Sequence, residues 1–163
     1  MLFRSEEIYK MTAVIQRVKT ANVISDGTKT GEIEQGLLIL LGVKKGDEKN
    51  DAVLLADKIS KLRIFTDEND KMNLSVKDIC GGALIVSNFT LCANYAHGNR
   101  PDYMNAEIPQ RANELYEYFV ELMKERTDKV QTGVFGAHMM INMEADGPIT
   151  IVVDSEVLNK KRV

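Results

Sequence analysis

The run GLLILLGV, residues 36–43, constrains the chain most. It is apolar without interruption and carries glycines at positions 36 and 42. A half-exposed strand alternates apolar and polar residues, and a surface helix keeps one polar face over ten residues or more. A short, unbroken, glycine-bounded run is instead a strand covered on both sides. The fold must therefore supply material above and below it. GGALIVSNFTL, residues 81–91, begins with the same character and reads as a second buried strand, but ends in small polar residues.

The remaining segments supply the cover. Residues 12–24, TAVIQRVKTANVI, are β-branched and alternate, with Val14, Gln16 and Val18 on one face and Ile15 and Arg17 on the other. DGTKTG, residues 26–31, is turn material. Over residues 47–62 the period changes: Val53, Leu55, Ala56, Ile59 and Leu62 fall on one helical face, with Asp47 or Asn50 available as the cap. Residues 63–75 hold a polar turn between short apolar patches. Residues 92–108 read as a long loop, and loops of this length carry function more often than short ones. Pro109 suits a first helical turn, followed by a face of Ala112, Leu115, Phe119, Leu122 and Met123. Residues 130–135, 138–144 and 148–154 read as three further strands, with ADGPIT, residues 145–150, as a turn feeding the last. The count is six to eight strands and two substantial helices in 163 residues, with strands clustered rather than alternating with helices. This predicts one α+β domain with a mixed, largely antiparallel sheet curled toward a barrel. Residues 1–10 read as an extension, 11–154 as the domain and 155–163 as a short basic tail.

Charge and motif content remove several functions. The formal net charge of -3 does not suit a long nucleic-acid groove, which draws its affinity from neutralising phosphates. Any nucleic-acid partner is held at a small patch or in an uncharged pocket. Two cysteines without a secretory signal predict a reducing, cytoplasmic setting. No apolar run is long enough to span a membrane. Cys80, Cys92, His97 and His138 show no zinc-type spacing, so no metal is expected. Ser87, His97 and Asp102 stand in hydrolase order but lack a nucleophile elbow. Residues 42–49 are not a phosphate loop, and no dinucleotide fingerprint occurs; no cofactor is expected. What remains is SNFT, residues 87–90, and ADGPIT. Locally each reads as backbone satisfaction or a turn. Both lie at strand termini, where side chains and backbone N–H groups can face one pocket.

With these two segments the whole chain resembles the D-aminoacyl-tRNA deacylases of bacterial and eukaryotic type. The matching blocks are MTAVIQRV, TGEIEQGLLILLGV, LRIFTDENDKMNLSV, ALIVSNFTL, GNRPDY, ANELYEYFVE, QTGVFGAHM and DGPIT, in the family's order and spacing. There are three departures. Asn88 stands where the family motif has glutamine, Ala145 where the second signature has asparagine, and Asp102 with Tyr103 where serine and phenylalanine are common.

The resemblance implies a homodimer that hydrolyses the ester between a D-amino acid, or mischarged glycine, and the terminal adenosine of tRNA. It implies that Gly147 and Pro148, joined by a cis bond, reach into the partner's site and exclude L side chains by main-chain atoms. Arg17 would brace that loop. Ser87, Asn88, Phe89 and Thr90 would form the catalytic turn, with backbone N–H groups near Phe89 and Thr90 facing the developing oxyanion. Thr90 is expected to position rather than attack, because no base beside it is implied. The substrate's own 2′-hydroxyl would assist. Phe135 and Met139 would line the adenine pocket or simply fill the core. Lys44, Lys45 and the basic residues 160–162 would touch phosphates or form a solvated face. Two rivals stay open: a deacylase of the same family shifted to another mischarged tRNA, and a non-catalytic tRNA-binding relative.

Overall fold

The computed structural model describes residues 10–159. The proposed extension, apart from Lys10, and residues 160–163 lie outside the described residues. The chain order is β1 (Thr12–Ser25), β2 (Thr28–Ile33), β3 (Gly36–Gly42), α1 (Lys49–Lys61), β4 (Phe65–Thr66), β5 (Met72–Leu74), β6 (Gly82–Ser87), a 3-10 turn (Phe89–Cys92), α2 (Pro109–Lys124), β7 (Lys129–Thr132), β8 (Met139–Asp154) and α3 (Ser155–Asn159). The main sheet runs β2-β1-β3-β6-β7, with β8 on the other side of β1. β1 pairs antiparallel with β2, β3 and β8, while β3–β6 and β6–β7 are parallel. The sheet curls until β2 meets β7. There Gly31 lies so close to Thr132 that a Cβ would sit 2.7 Å from its carbonyl oxygen. The expected mixed, barrel-like α+β fold is what forms.

The two-sided strand is the hub. Leu37, Ile39 and Leu41 face the helices, in a core with Ala13, Ile15, Leu55, Ile59, Leu115 and Phe119. Leu38 points the other way, into a smaller cluster inside the curl with Val18, Val23, Ile33, Leu84 and Val86. All five predicted core positions of α2 are buried. Tyr116 joins them and donates its hydroxyl to the Ile85 carbonyl at 2.8 Å, which ties α2 to β6. Burial holds that phenol well above its ordinary range.

Four local expectations are corrected. Neither Asp47 nor Asn50 caps α1. The N-cap is Glu48, whose N–H donates to Asp51 Oδ2 at 2.8 Å. Asp47 is unavailable because its Oδ2 accepts the Lys44 N–H one turn earlier, at 2.6 Å. The start of the presumed tail is a helix: α3 docks through Ser155, fully buried, whose hydroxyl donates to Asp51 Oδ1 at 2.8 Å. The strands expected at 138–144 and 148–154 are one strand, β8, so ADGPIT is not a turn between strands. Gln16 pairs with Thr150 and Val18 with Ala145, so Asp146, Gly147, Pro148 and Ile149 stand opposite Arg17 alone. The segment is a wide bulge, consistent with Pro148 having no N–H to donate to the ladder and Gly147 sitting at φ 129.

Candidate functional site

A cavity of about 780 Å³ opens beside the end of β6. Its walls come from three places. One wall is the end of β3 and β6 with the 3-10 turn that follows, which bring Leu40, Val43, Val86, Ser87 and Phe89; a second is the segment leading into β8, with Phe135 and Met139. The third wall is the stretch from Tyr103 to Pro109. The cavity is mostly apolar, the usual character of a small-molecule pocket with a few placed polar groups.

The chain reaches this turn in a fixed way. Asn88 N–H donates to the Leu41 carbonyl at 2.8 Å, which carries the parallel pairing of β3 and β6 one step past Ser87. The backbone then tightens, with Leu91 N–H returning to Asn88 O at 3.3 Å and Ala93 N–H to Thr90 O at 3.1 Å. The first N–H groups of such a turn have no carbonyl ahead of them to bind. The Thr90 hydroxyl donates to Asn88 Oδ1. Thr90 is exposed and does not line the cavity, whereas Asn88 does. Phe89 is 57% exposed and its ring meets Tyr103 edge-on, centroids 4.9 Å apart.

Of the residues singled out in the sequence, Ser87, Asn88, Phe89, Phe135 and Met139 share this cavity. Phe135 and Met139 are half-buried; Phe135 also packs against Tyr116, centroids 6.0 Å apart. Lys45 lines the cavity as well. Gly147, Pro148 and Arg17 do not line it. Gly147 and Pro148 are exposed, and their peptide bond is cis. Arg17 holds this bulge from beneath: Nε donates to Asp146 O at 3.2 Å and lies 3.4 Å from its carboxylate, while Nη1 donates to Ile64 O at 2.9 Å.

Sequence reasoning missed the third wall. Tyr103, Met104, Ala106, Glu107 and Ile108 lie in a segment without period, marked only by its length and, at Tyr103, by a departure from the family pattern. Two clamps hold it in place. Lys44 and Ala106 form a β-bridge, and Lys45 N–H donates to Asn105 O at 2.9 Å. Glu107 brings a carboxylate to the cavity, where none was expected. It is already engaged: Oε1 accepts the Ile108 N–H at 2.9 Å and Oε2 lies 3.6 Å from Arg111 Nε.

The reactive groups nearby are few. Cys92 lies behind the wall with its thiol toward Val43 O at 3.5 Å, and burial pushes it up to about 11. At neutral pH it is a thiol and a poor nucleophile. Both histidines are exposed and outside the cavity. Among the described residues no group of three or more His, Cys, Asp or Glu is arranged to hold a metal. No described helix is long and apolar enough to cross a membrane. The arrangement offers backbone donors and an apolar bed beside an open mouth, which suits polarising a carbonyl more than activating a side-chain nucleophile.

A family model described as D-Tyr-tRNA(Tyr) deacylase matches residues 14–154. The chain is 55% identical over 148 residues to a D-aminoacyl-tRNA deacylase of Persephonella marina, covering 91% of this chain and all of that one. It is 49% identical over 152 residues to the corresponding protein of Dictyoglomus turgidum, covering 93% and 97%. Among solved structures, the c-Myc DNA Unwinding Element Binding Protein superimposes with a TM-score of 0.82 at 35% identity, covering 88% of this chain and 97% of that one. A probable eukaryotic D-amino acid tRNA deacylase gives 0.77 at 13% identity, covering 89% and 99%, and shares the fold.

Proposed function

The chain belongs to the D-Tyr-tRNA(Tyr) deacylase family, and from that premise we propose how its site performs the family's reaction. The reaction is hydrolysis of the ester that joins a D-amino acid to tRNA, a proofreading step that keeps the wrong enantiomer out of translation. D- and L-aminoacyl esters carry identical groups, so selection must come from refusing one shape.

The terminal adenosine enters the cavity and rests between Phe135 and Met139. The ester carbonyl points at the turn of residues 87–90, where the N–H groups of Phe89 and Thr90 meet the oxygen as it becomes negative. A single such donor is worth about 10²–10³ in rate. Water attacks the carbonyl carbon, the carbonyl reforms, and the ribose oxygen leaves with a proton. The substrate's 2′-hydroxyl helps carry that proton, since no histidine lines the cavity and Glu107 is bound to Arg111. Thr90 acts as a positioning residue: its hydroxyl donates to Asn88 Oδ1 and so fixes how the amide is turned.

The handedness filter comes from a second copy. Gly147 and Pro148 stand exposed on a braced bulge, away from their own cavity. β8, which carries them and among the described residues pairs only with β1, also exposes Met140, Met143 and Val152, and bare apolar side chains on an edge strand suit pairing two protomers. In the homodimer each bulge closes the partner's cavity, its main-chain oxygens facing the amino end of the substrate. Refusal by main-chain atoms does not read the side chain, so many D-amino acids, and glycine, pass. The enzyme works in the cytoplasm without a cofactor.

The observation that carries this reading is the seating of the motif turn, residues 87–90, against a largely apolar cavity. The test is cleavage of D-Tyr-tRNA against L-Tyr-tRNA. Rapid release from the D form alone is expected; equal rates, or no cleavage of the D form, would refute it. Thr90→Val should keep activity within about tenfold, and a loss beyond about a thousandfold would make Thr90 the nucleophile instead.

A further inference from the structure

The mouth of the cavity continues into a tip that the hydrolytic step does not use. The chain leaves the core after Cys92 and returns at Tyr103, and the two limbs are joined by a bridge. Asn94 N–H donates to Asp102 O at 2.8 Å, and Asp102 N–H donates to Asn94 O at 2.9 Å. Side chains reinforce both corners: Asn94 Oδ1 accepts the Ala96 N–H at 3.1 Å, and Asp102 Oδ1 accepts the Met104 N–H at 3.2 Å. Residues 95–101 are thus a closed tip on a clamped stem. Their sequence, YAHGNRP, contains an aromatic ring, a histidine and an arginine but no carboxylate, in a chain of net charge -3.

Every residue of the tip is exposed, and Tyr95 is 80% exposed. A ring this bare contributes little to the core, and it leaves a flat face open to solvent. The returning limb runs directly into the cavity wall at Tyr103 and Met104, and Tyr103 leans on Phe89. The tip is therefore held in fixed relation to the place where the terminal nucleoside sits.

We propose that this tip is a second nucleic-acid subsite, which grips the unpaired nucleotides preceding the terminal adenosine. A base stacks on the Tyr95 ring, and Arg100 takes an adjoining phosphate. The chemistry fits a single strand: any base has a π-face to stack, and one cation per phosphate adds affinity without a basic groove. It also accounts for how a chain with net negative charge holds RNA, by one ring and one cation placed next to the pocket. The inference rests on tRNA being the substrate.

The test compares two substrates, D-Tyr-tRNA and 3′-O-(D-tyrosyl)adenosine, with wild type, Tyr95→Ala, Tyr95→Phe and Arg100→Ala. The ratio of kcat/KM on tRNA to that on the nucleoside ester should fall about tenfold in Tyr95→Ala, through KM. Tyr95→Phe, which keeps the ring, should restore it. Arg100→Ala should flatten the dependence of log KM on log salt by about 0.7 to 1. An unchanged ratio and salt slope would overturn the subsite, and so would an equal loss on both substrates, which would mean a distorted cavity mouth. A wild-type protein that cleaves neither substrate would sink the deacylase reading and the subsite with it; one that cleaves both while the variants match it sinks only the subsite.

Discussion

Asp47 allows a stability prediction with a definite sign. The residue is 1% exposed, in the turn between β3 and α1. Its Oδ2 accepts the Lys44 N–H, and its backbone oxygen accepts Arg111 Nη2 at 3.1 Å. Its Oδ1 is buried and has no hydrogen-bond partner among the described residues. Burial pushes the carboxyl from its ordinary 3.8 up to about 7; the Lys44 N–H bond, Lys44 and Lys10 pull it down, and Asp51 pushes it further up. The folded state therefore holds this proton more tightly than the unfolded chain does. Stability is greatest below the unfolded value and falls as pH rises from about 4 to about 7. At about 1.4 kcal/mol per pH unit the full loss has a ceiling near 4 kcal/mol, of which about 3 falls between pH 5 and 8. Asp47→Asn keeps an oxygen for the Lys44 N–H and cannot ionise. Urea denaturation of both proteins at pH 5 and pH 8 should show the variant gaining about 3 kcal/mol on wild type across that interval, whatever its deficit at pH 5. A stability difference that stays constant, or moves against the variant as pH rises, would refute the reasoning. It would mean that the carboxylate is ionised and well held in the folded protein.

Three further substitutions probe the backbone. Gly147→Ala places a Cβ 2.7 Å from Ile149 N at a φ of 129, so the bulge must shift; cleavage of D-Tyr-tRNA should drop at least tenfold while the melting temperature moves by only a few degrees, on the order expected for about 1 kcal/mol. Gly36→Ala places a Cβ 2.0 Å from the Gly82 carbonyl oxygen at the start of the β3–β6 pairing, and should abolish cooperative unfolding, read by circular dichroism, whereas Gly27→Ala, in open space at φ 87, should cost only about 1 kcal/mol.

The covered strand and the helical faces were legible because each has a local signature, whereas the motif at 87–90 was marked by resemblance to a family. An unbroken apolar run at 36–43 can only be satisfied from both sides, and Leu37 and Leu38 do enter different cores. Spacing at 112, 115, 119, 122 and 123 places five side chains on one buried face, and all five are buried. Asp102 and Tyr103 entered the reading only as departures from a family pattern. Their structural work, closing the tip at Asn94 and bracing Phe89, is not written in residue type.

From the amino-acid order alone come the layers and the strand that needs two of them, because side-chain period reports burial directly; residues 87–90 stood out through the family resemblance. The tertiary structure decided the rest. β8 runs unbroken past Gly147 and Pro148 because β1 offers it a ladder on both sides of Arg17. Helix α1 is capped at Glu48 rather than Asp47 partly because Ser155, 104 positions from Asp51, holds that carboxylate in place. The cavity's third wall exists because Lys44 and Lys45 clamp residues 105 and 106. Each of these is a contact between segments far apart along the chain, and such contacts leave no period to read.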